Sequence, residues 1–446
     1  MTSKVKDPAR HTHSVKEYKF TKTEKIIRAL SDKVVKAQRP IRILEAIQWG
    51  DDVKRAFFKS KFKKLPKVNA AYYKKRKLKY NLDKKIQEFE SIETEIRTKL
   101  GQFNGASIIM QRMCREYASA MKMLKARGTR DFAKLSSQLY GSTKEAFYAG
   151  APTLQDLAKQ VGQVLENVEL SNFNERDEKR HSATQAASIM QTHLRSYFHD
   201  HRNLINVQTS NTIIADAAAG AEQIKLNSKV RFSDRTIRQL EVHEGWVHLG
   251  TTLNGLSQPV CTFLSKGAPS STITQEGLAI LVEILTLSSY PTRIRRINNR
   301  VRAIDMAENG ADFIDIFNFF REHRLDEEGA YNAAARVFRG STASGKPFTK
   351  DLAYTKGFIA IYNYMRLAFA KGLYSHIPML FVGKSTLEDL RIIIDLHEEG
   401  LVKSPKYVPP FFQDPAGLIS WAAYSIFISQ MDMDKIADDY RNLLRE

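Results

Sequence analysis

Apolar residues recur every three or four positions along most of the chain, the period of an amphipathic α-helix. Between Thr23 and Trp49, the positions Ile26, Ile27, Leu30, Val34 and Val35 are followed by Ile41, Ile43, Leu44 and Ile47. That pattern predicts helices broken at Pro40, which lacks a backbone donor, with Gly50-Asp51-Asp52 closing the unit. The same spacing predicts helices over 81–100 and 107–126, ended by the turn Arg127-Gly128-Thr129. Two more are expected over 153–168 and 182–198, with Ser171-Asn172-Phe173-Asn174 as the loop between them. After Val207 the pattern shortens. Residues 211–216 and 223–227 read as two strands of a hairpin joined through Ala217-Ala218-Ala219-Gly220, the one convincing β signal. Ser233-Asp234 then supplies an N-cap and an acidic first turn for a helix over 234–252 that ends near Asn254-Gly255. Further helices are expected over 273–287, 292–309, 311–323, 326–338, 351–370 and 385–399, and no repeat of fixed period is visible. The pattern describes a mainly α (α+β) protein with a small β-sheet.

Composition narrows the class. The 446 residues are 43% hydrophobic, 10% aromatic and 26% charged, which fits folded domains and excludes wholesale disorder, collagen-like repeats and coiled-coil fibres. Two cysteines, Cys114 and Cys261, cannot build a disulfide framework or a cysteine-rich zinc module, so a metal would have to be held by His, Asp or Glu. The polar, basic start of the chain has no apolar signal-peptide region, and the expected location is the cytoplasm. No transmembrane segment is expected: the uncharged stretch 245–265 is interrupted by His248, Asn254, Gln258 and Pro259, and the apolar stretch 419–428 is too short. Both are expected in a folded interior.

The net charge of +20 is local. Residues 1–80 hold 24 Lys or Arg and 7 Asp or Glu, a net of +17, and the densest part runs from Lys59 to Lys79. Such a field draws anionic surfaces towards it, although a solvated face that aids solubility is the bland alternative. Nucleic acid, an acidic protein surface and anionic lipid would all qualify; aromatics stand among the lysines, but no nucleic-acid-binding motif accompanies them, which argues against nucleic acid as the main partner. His11 and His13, and His199 and His201, lack a carboxylate or cysteine at a telling distance and read as surface residues. The organisation expected is a flexible basic lead-in over 1–22, a basic helical N-terminal region over 23–200 and a catalytic domain over 201–446.

The candidate chemistry stands on the helix after the hairpin, where His243-Glu244-Gly245-Trp246-Val247-His248 has the pattern His-Glu-x-x-x-His. Histidines four apart lie about 40° around an α-helix and can share one metal, whereas five apart is about 140°, too far for joint ligation. A metal site therefore requires a π-bulge between His243 and His248 that absorbs the extra residue. Glu276, in the apolar helix beginning near Thr274, is a costly buried carboxylate unless paired or bound to a cation, and so a natural third ligand. Glu283, seven residues on, is a backup ligand or a partner behind the ligands. Two histidines and one carboxylate leave a fourth zinc position for water, whose proton Glu244 can take and pass to a leaving amine.

These residues, with Asn254-Gly255, Gln258-Pro259 and Thr274-Gln275-Glu276-Gly277-Leu278-Ala279, resemble the family called "flavohemoglobin expression-modulating QEGLA motif", whose eukaryotic relatives include the microtubule-associated tyrosine carboxypeptidases. Leu124-Lys125-Ala126-Arg127-Gly128-Thr129 with Phe132 and Leu139-Tyr140-Gly141 is similar to that family too. So are Arg336-Val337-Phe338-Arg339-Gly340 and Phe348-Thr349-Lys350-Asp351-Leu352-Ala353-Tyr354. The resemblance covers roughly residues 25 to 410 and implies a gluzincin-like helical metallopeptidase domain. It also implies one Zn2+ held by His243, His248 and Glu276, and Glu244 as the catalytic residue. Its tubulin-directed members remove a C-terminal tyrosine. Seven residues, Ser341 to Pro347, separate Arg-Gly from Phe-Thr-Lys-Asp, a longer link than the family's pattern.

The reading is a zinc-dependent metallocarboxypeptidase acting on a peptide or protein C-terminus. Arg336, Arg339 and Lys350 are candidates for holding the terminal carboxylate, and Tyr354 or Tyr331 for donating to the developing oxyanion. The alternatives are another zinc exopeptidase, such as an aminopeptidase, and a non-enzymatic regulatory protein that binds an anionic partner through its basic N-terminus.

Overall fold

The computed structural model describes residues 19–168, 178–201, 205–211, 213, 215–220 and 223–444. The expected loop at Ser171 to Asn174, His11 and His13, and most of the expected lead-in lie outside them. The first half of the chain contributes α1 (Lys22–Gln38), α2 (Ile43–Ile47), α3 (Asp51–Lys59), α4 (Ala70–Lys74), α5 (Leu82–Leu100), α6 (Gly105–Lys125), α7 (Arg130–Tyr140), α8 (Leu154–Glu166) and α9 (Ala183–Tyr197). A small sheet follows, and then α10 (Asp234–Leu240), a π-helical segment Glu241–Leu249 and α11 (Gly250–Leu256) in direct succession. The rest are α12 (Ser271–Leu285), α13 (Pro291–Glu308), α14 (Phe313–Glu322), α15 (Glu327–Phe338), α16 (Ala353–Ala370), α17 (Leu390–Glu398), α18 (Pro410–Gln413), α19 (Pro415–Ile428) and α20 (Met433–Leu444). The fold is mainly α, as the apolar period implies.

Local sequence explains where these helices start. The Thr21 side chain accepts from the Glu24 N–H while the Glu24 carboxylate accepts from the Thr21 N–H, and the pairs Thr153/Asp156, Ser182/Gln185 and Asp312/Asp315 repeat this capping box. Ser233 caps α10 through the Thr236 N–H at 3.1 Å. One turn signal has the opposite sense from the one expected. Gly50-Asp51-Asp52 opens a helix: Gly50 is the N-cap of α3 and both carboxylates stand in its positive first turn, which favours them there.

The sheet also departs from the expected hairpin. Its strands are β1 (Asn206–Ser210), β2 (Ala217–Ala219) and β3 (Gln223–Asn227), in the order β1-β3-β2. β1 runs parallel to β3, with Val207 opposite Ile224, and the alanines expected to form the turn are themselves β2, antiparallel to β3, with Ala218 opposite Lys225. Residues 211, 213, 215 and 216 of the expected first strand lie outside the sheet, and β2 falls within the twelve residues that separate the parallel strands β1 and β3, the length such a pair requires. The alanines suit this place because β2 lies against the π segment, where a small side chain admits a close backbone approach.

One core joins residues from both halves of the chain, including Ile27, Phe89, Met121, Leu194, Phe232, Val247, Leu281 and Phe381. A second packs Trp49, Phe57 and Tyr73 against Phe313, Phe317, Tyr331 and Phe338. Within this frame α12 and α16 cross at a pair of glycines: a Cβ on Gly277 would lie 2.2 Å from the backbone carbon of Gly357, and one on Gly357 would lie 1.9 Å from the Ile273 carbonyl oxygen. Only residues without side chains allow that crossing, and it sets α12 beside the segment 349–354. The stretch 245–265 is mostly interior, as expected, with only Leu256 and Ser257 exposed. The stretch 419–428 is not: Leu418 and Ala422 are buried, but Tyr424 and Phe427 are 73% and 64% exposed. α19 is apolar on all sides and packs only one of them, through the Trp421 ring against Tyr362 of α16. No helix among the described residues is long and apolar enough to cross a membrane.

Candidate metal centre and active site

The π segment resolves the five-residue spacing of the histidines. Over Glu241–Leu249 the helix is wound more widely than an α-helix, and its exit carries the i to i+5 bond from the Gly250 N–H to the Gly245 carbonyl. Residues five apart then share a face. The rings of His243 and His248 lie 4.8 Å apart between centroids, nearly perpendicular. Gly245 belongs to the same device, because a Cβ there would lie 2.4 Å from the Leu194 side chain of α9.

From α12, Glu276 completes the group. Its Oε2 is 3.3 Å from His243 Nε2 and 3.5 Å from His248 Nε2, and one ligand atom from each of the three residues falls within a 4.8 Å span, an arrangement that can hold a metal ion. The residues fit a cation on a further ground: Glu276 Oε2 is buried without a hydrogen-bond partner among the described residues. Burial opposes ionisation of Glu276, but contacts from His243 and His248 and the charge of Lys350 outweigh it and hold the carboxyl well below its usual range. Lys350 Nζ lies 3.6 Å from Glu276 Oε1.

Behind this triad, Glu283 faces the other nitrogen of His243, with Oε1 2.6 Å from Nδ1. Arg293 donates to Glu283 from Nη2 at 3.1 Å and from Nε at 3.3 Å, and Gln239 Nε2 donates at 2.9 Å. Burial would raise the Glu283 carboxyl, but Arg293 and His243 bring it down to about 2. Burial likewise disfavours a charged His243, yet Glu276 and Glu283 raise its pKa to about 9. For His248 burial wins and the pKa is lowered. The triad therefore attracts one positive charge at neutral pH, which a proton or a metal ion can supply.

Glu244 accepts the Ala219 N–H of β2 at Oε2, 2.8 Å away. With His243 it lines a cavity of about 280 Å³ whose other walls include Leu240, Phe320, Val337, Arg300, Arg336 and Tyr354. A larger and more open cavity, about 580 Å³, lies on the His248 and Glu276 side and is lined by Arg42, Lys266, Lys350 and Lys384. The triad stands between the two. Lys384 donates to the His248 carbonyl and to Gln275 Oε1, both at 2.8 Å, and burial lowers its pKa to about 7.

The substrate-binding candidates fall into different places. Arg336 lines the smaller cavity but donates to Asp351 from Nε at 2.8 Å and Nη2 at 2.9 Å. Arg339 stands 3.8 Å from the same carboxylate, over the Phe348 ring and off the lining. Lys350 is on the larger cavity. Tyr354 lines the smaller one, its ring stacked 6.4 Å from His243. Tyr331 is elsewhere, packed among Phe57, Phe58 and Phe313 in the second core.

The sequence reading missed Arg293, Arg300 and Lys384. The regular spacing of Arg293, Arg296 and Arg300 marked a basic face on α13, but nothing local said what it would face. Other residues of the quoted motifs hold the frame. Asn254 donates to the Phe381 and Tyr407 carbonyls and accepts the Lys406 and Tyr407 N–H groups. The Arg-Gly turns meet across the fold, the Gly128 N–H donating to the Gly340 carbonyl at 2.8 Å.

Fold and site define a class: mainly helical proteins in which a π-widened His-Glu-x-x-x-His segment and a glutamate on the neighbouring helix form one potential metal centre. The family model described as microtubule-associated tyrosine carboxypeptidase matches residues 55–430, and the chain belongs to that family. A comparison with curated proteins gives no match.

Proposed function

We propose that the protein is a zinc-dependent metallocarboxypeptidase that releases a C-terminal aromatic residue, tyrosine foremost, from an acidic peptide or protein tail. The observation that carries this reading is the convergence of His243, His248 and Glu276, with Glu244 beside them, between a small cavity and a larger basic one. Family membership supports the carboxypeptidase chemistry. His243, His248 and Glu276 would hold the ion, which when bound supplies a Lewis acid that polarises the scissile carbonyl and brings a water's ionisation towards neutral pH.

The chain's own groups do the rest. Glu244, oriented by the Ala219 N–H, takes the attacking water's proton and returns it to the amine of the departing residue. The Tyr354 hydroxyl donates to the oxygen that gains charge as the carbonyl becomes tetrahedral. The smaller cavity, with apolar walls at Leu240, Phe320 and Val337 and a guanidinium wall at Arg300 and Arg336, takes the departing residue. Lys350 and Lys384 on the larger cavity favour acidic residues before the cleaved bond.

The same reading gives residues 23–200 a docking role and residues 201–446 the catalysis. Nine lysines between Lys59 and Lys79 are exposed, a surface suited to an acidic partner. A cytoplasmic location is part of the proposal and is supported by Cys114 and Cys261, which are buried free thiols with pKa values pushed by burial up to about 12.

The test is release of free tyrosine from an acidic peptide by the purified, zinc-loaded protein, followed by mass spectrometry. Glu244→Gln is expected to slow release at least ~100-fold, acetylating the peptide's N-terminus to leave it unchanged, and His248→Ala to remove the zinc. Unchanged release by a folded, zinc-loaded Glu244→Gln protein would sink the proposal.

A further inference from the structure

Within the reading of the protein as a carboxypeptidase, we infer that Arg300 on α13 is the residue that grips the substrate's terminal carboxylate and so restricts cleavage to chain ends. An enzyme of this kind must recognise a carboxylate where an internal peptide bond would continue, and a guanidinium with uncommitted N–H groups is the fitting receptor. The cationic side chains on the smaller cavity are Arg293, Arg296, Arg300 and Arg336. Three are already engaged. Arg293 is held by Glu283, Arg336 makes a two-pronged bond to Asp351, and Arg296 donates to Asp216 at 3.1 Å.

Arg300 differs from all of them. Among the described residues its nearest carboxylate oxygen is Asp351 Oδ2 at 3.9 Å, outside hydrogen-bond distance, and its buried Nη1 has no hydrogen-bond partner. A buried, unpaired guanidinium nitrogen is costly, and an incoming anion removes that cost. The charge balance agrees. Arg300, Arg336 and Arg339 all surround the single carboxylate of Asp351, and Arg339 Nε is also without a partner. Burial and the like charge of Arg336 lower the pKa of Arg300 to about 10, the mark of a pocket short of negative charge.

Position completes the argument. The Arg300 guanidinium lies 5.1 Å from the centroid of the Tyr354 ring, and that ring stacks on His243. One residue's length can therefore span from a carboxylate at Arg300 to a scissile bond at the triad. Ile304, one turn further along α13, and Phe320 give the side chain of that residue an apolar wall.

The experiment compares kcat/KM for an acidic peptide ending in tyrosine and for its C-terminal amide, in wild type, Arg300→Gln and Arg300→Lys, with zinc content and thermal unfolding measured for each. The wild type should prefer the free acid. Arg300→Gln should lower kcat/KM for the acid roughly ten- to hundredfold, the worth of a charge-assisted hydrogen bond, leave the slow amide rate in place, and be partly restored in Arg300→Lys. Equal losses on both peptides would make Arg300 a packing residue, and an undiminished acid preference would put the receptor elsewhere; either result overturns the inference. Binding of both peptides to Glu244→Gln, with and without Arg300→Gln, separates this inference from the parent reading. If wild type cleaves neither peptide, an acid-over-amide binding preference abolished by Arg300→Gln still upholds the role of Arg300. The absence of any such preference overturns it.

Discussion

His243 Nδ1 and Glu283 Oε1 are 2.6 Å apart, inside a core where Glu283 is fully buried. With a metal ion bound, the carboxylate would hold the ring proton on Nδ1 and leave Nε2, which faces Glu276 and His248, free to ligate it. The carboxylate is held in turn by Arg293 and Gln239, from two other helices. Replacing Glu283 by Gln keeps the size and an acceptor but removes the charge. Zinc affinity, measured by competition with a chelator, is expected to fall by roughly 10- to 100-fold. Unchanged affinity would reduce the pair to packing.

Gly277 stands next to the candidate ligand Glu276 and against Gly357. The three nearest atoms to an added methyl group are the carbonyl carbon, oxygen and Cα of Gly357, backbone that cannot swing aside. Gly277→Ala is therefore expected to cost about 1–3 kcal/mol or more and to weaken zinc retention, because α12 must back away from α16 and carry Glu276 with it. Thermal unfolding with and without chelator checks both; a variant as stable and as zinc-rich as the wild type would refute the account.

Asp351 holds Arg336 and stands near Arg300 and Arg339. Burial would raise its carboxyl, but the arginines, Arg336 foremost, lower it far below the usual value of 3.8. A depressed carboxylate stabilises the fold above its unfolded pKa, and that stabilisation is lost as pH falls below about 3.8 towards the folded value. Asp351→Asn should cost about 3–5 kcal/mol at neutral pH, since it leaves buried arginines uncompensated. It should also flatten the wild type's loss of stability on acidification. Melting temperatures between pH 5 and 2 decide this, and parallel curves for the two proteins would contradict it.

The exposed lysines from Lys59 to Lys79 make a prediction about substrate size. Changing Lys61, Lys63, Lys64 and Lys67 to Gln should lower kcat/KM for an acidic protein substrate at low salt, with the difference fading as salt rises past 0.15 M, where screening acts within about 8 Å. Short peptides confined to the active site should be cleaved unchanged. An equal loss on short peptides would place these lysines in the folding of the site instead.

The helices were legible in the sequence because caps and the apolar period act within a few residues. Thr21 with Glu24, Thr153 with Asp156 and Ser182 with Gln185 each define a helix start without reference to the rest of the chain. The His-Glu-x-x-x-His spacing likewise forces a choice between a widened helix and no shared site, and the helix is widened over Glu241–Leu249. Where the expectation failed, the cause lay at a distance. β2 is a strand because β3 offers it a partner, although its alanines carry no β signal, and Gly50-Asp51-Asp52 opens α3 because Val53 and Phe57 find a core with Phe313 and Phe317.

By itself, then, the sequence determined the mainly helical architecture and made a widened turn the condition for His243 and His248 to share a site, since both follow from interactions a few residues long. Tertiary structure alone decided which charges are spent and which stay available. Arg336 and Arg300 are alike as residues, yet one is occupied by Asp351 and the other keeps a nitrogen unpaired, because α13, α15 and the segment before α16 meet at distances that no local pattern encodes.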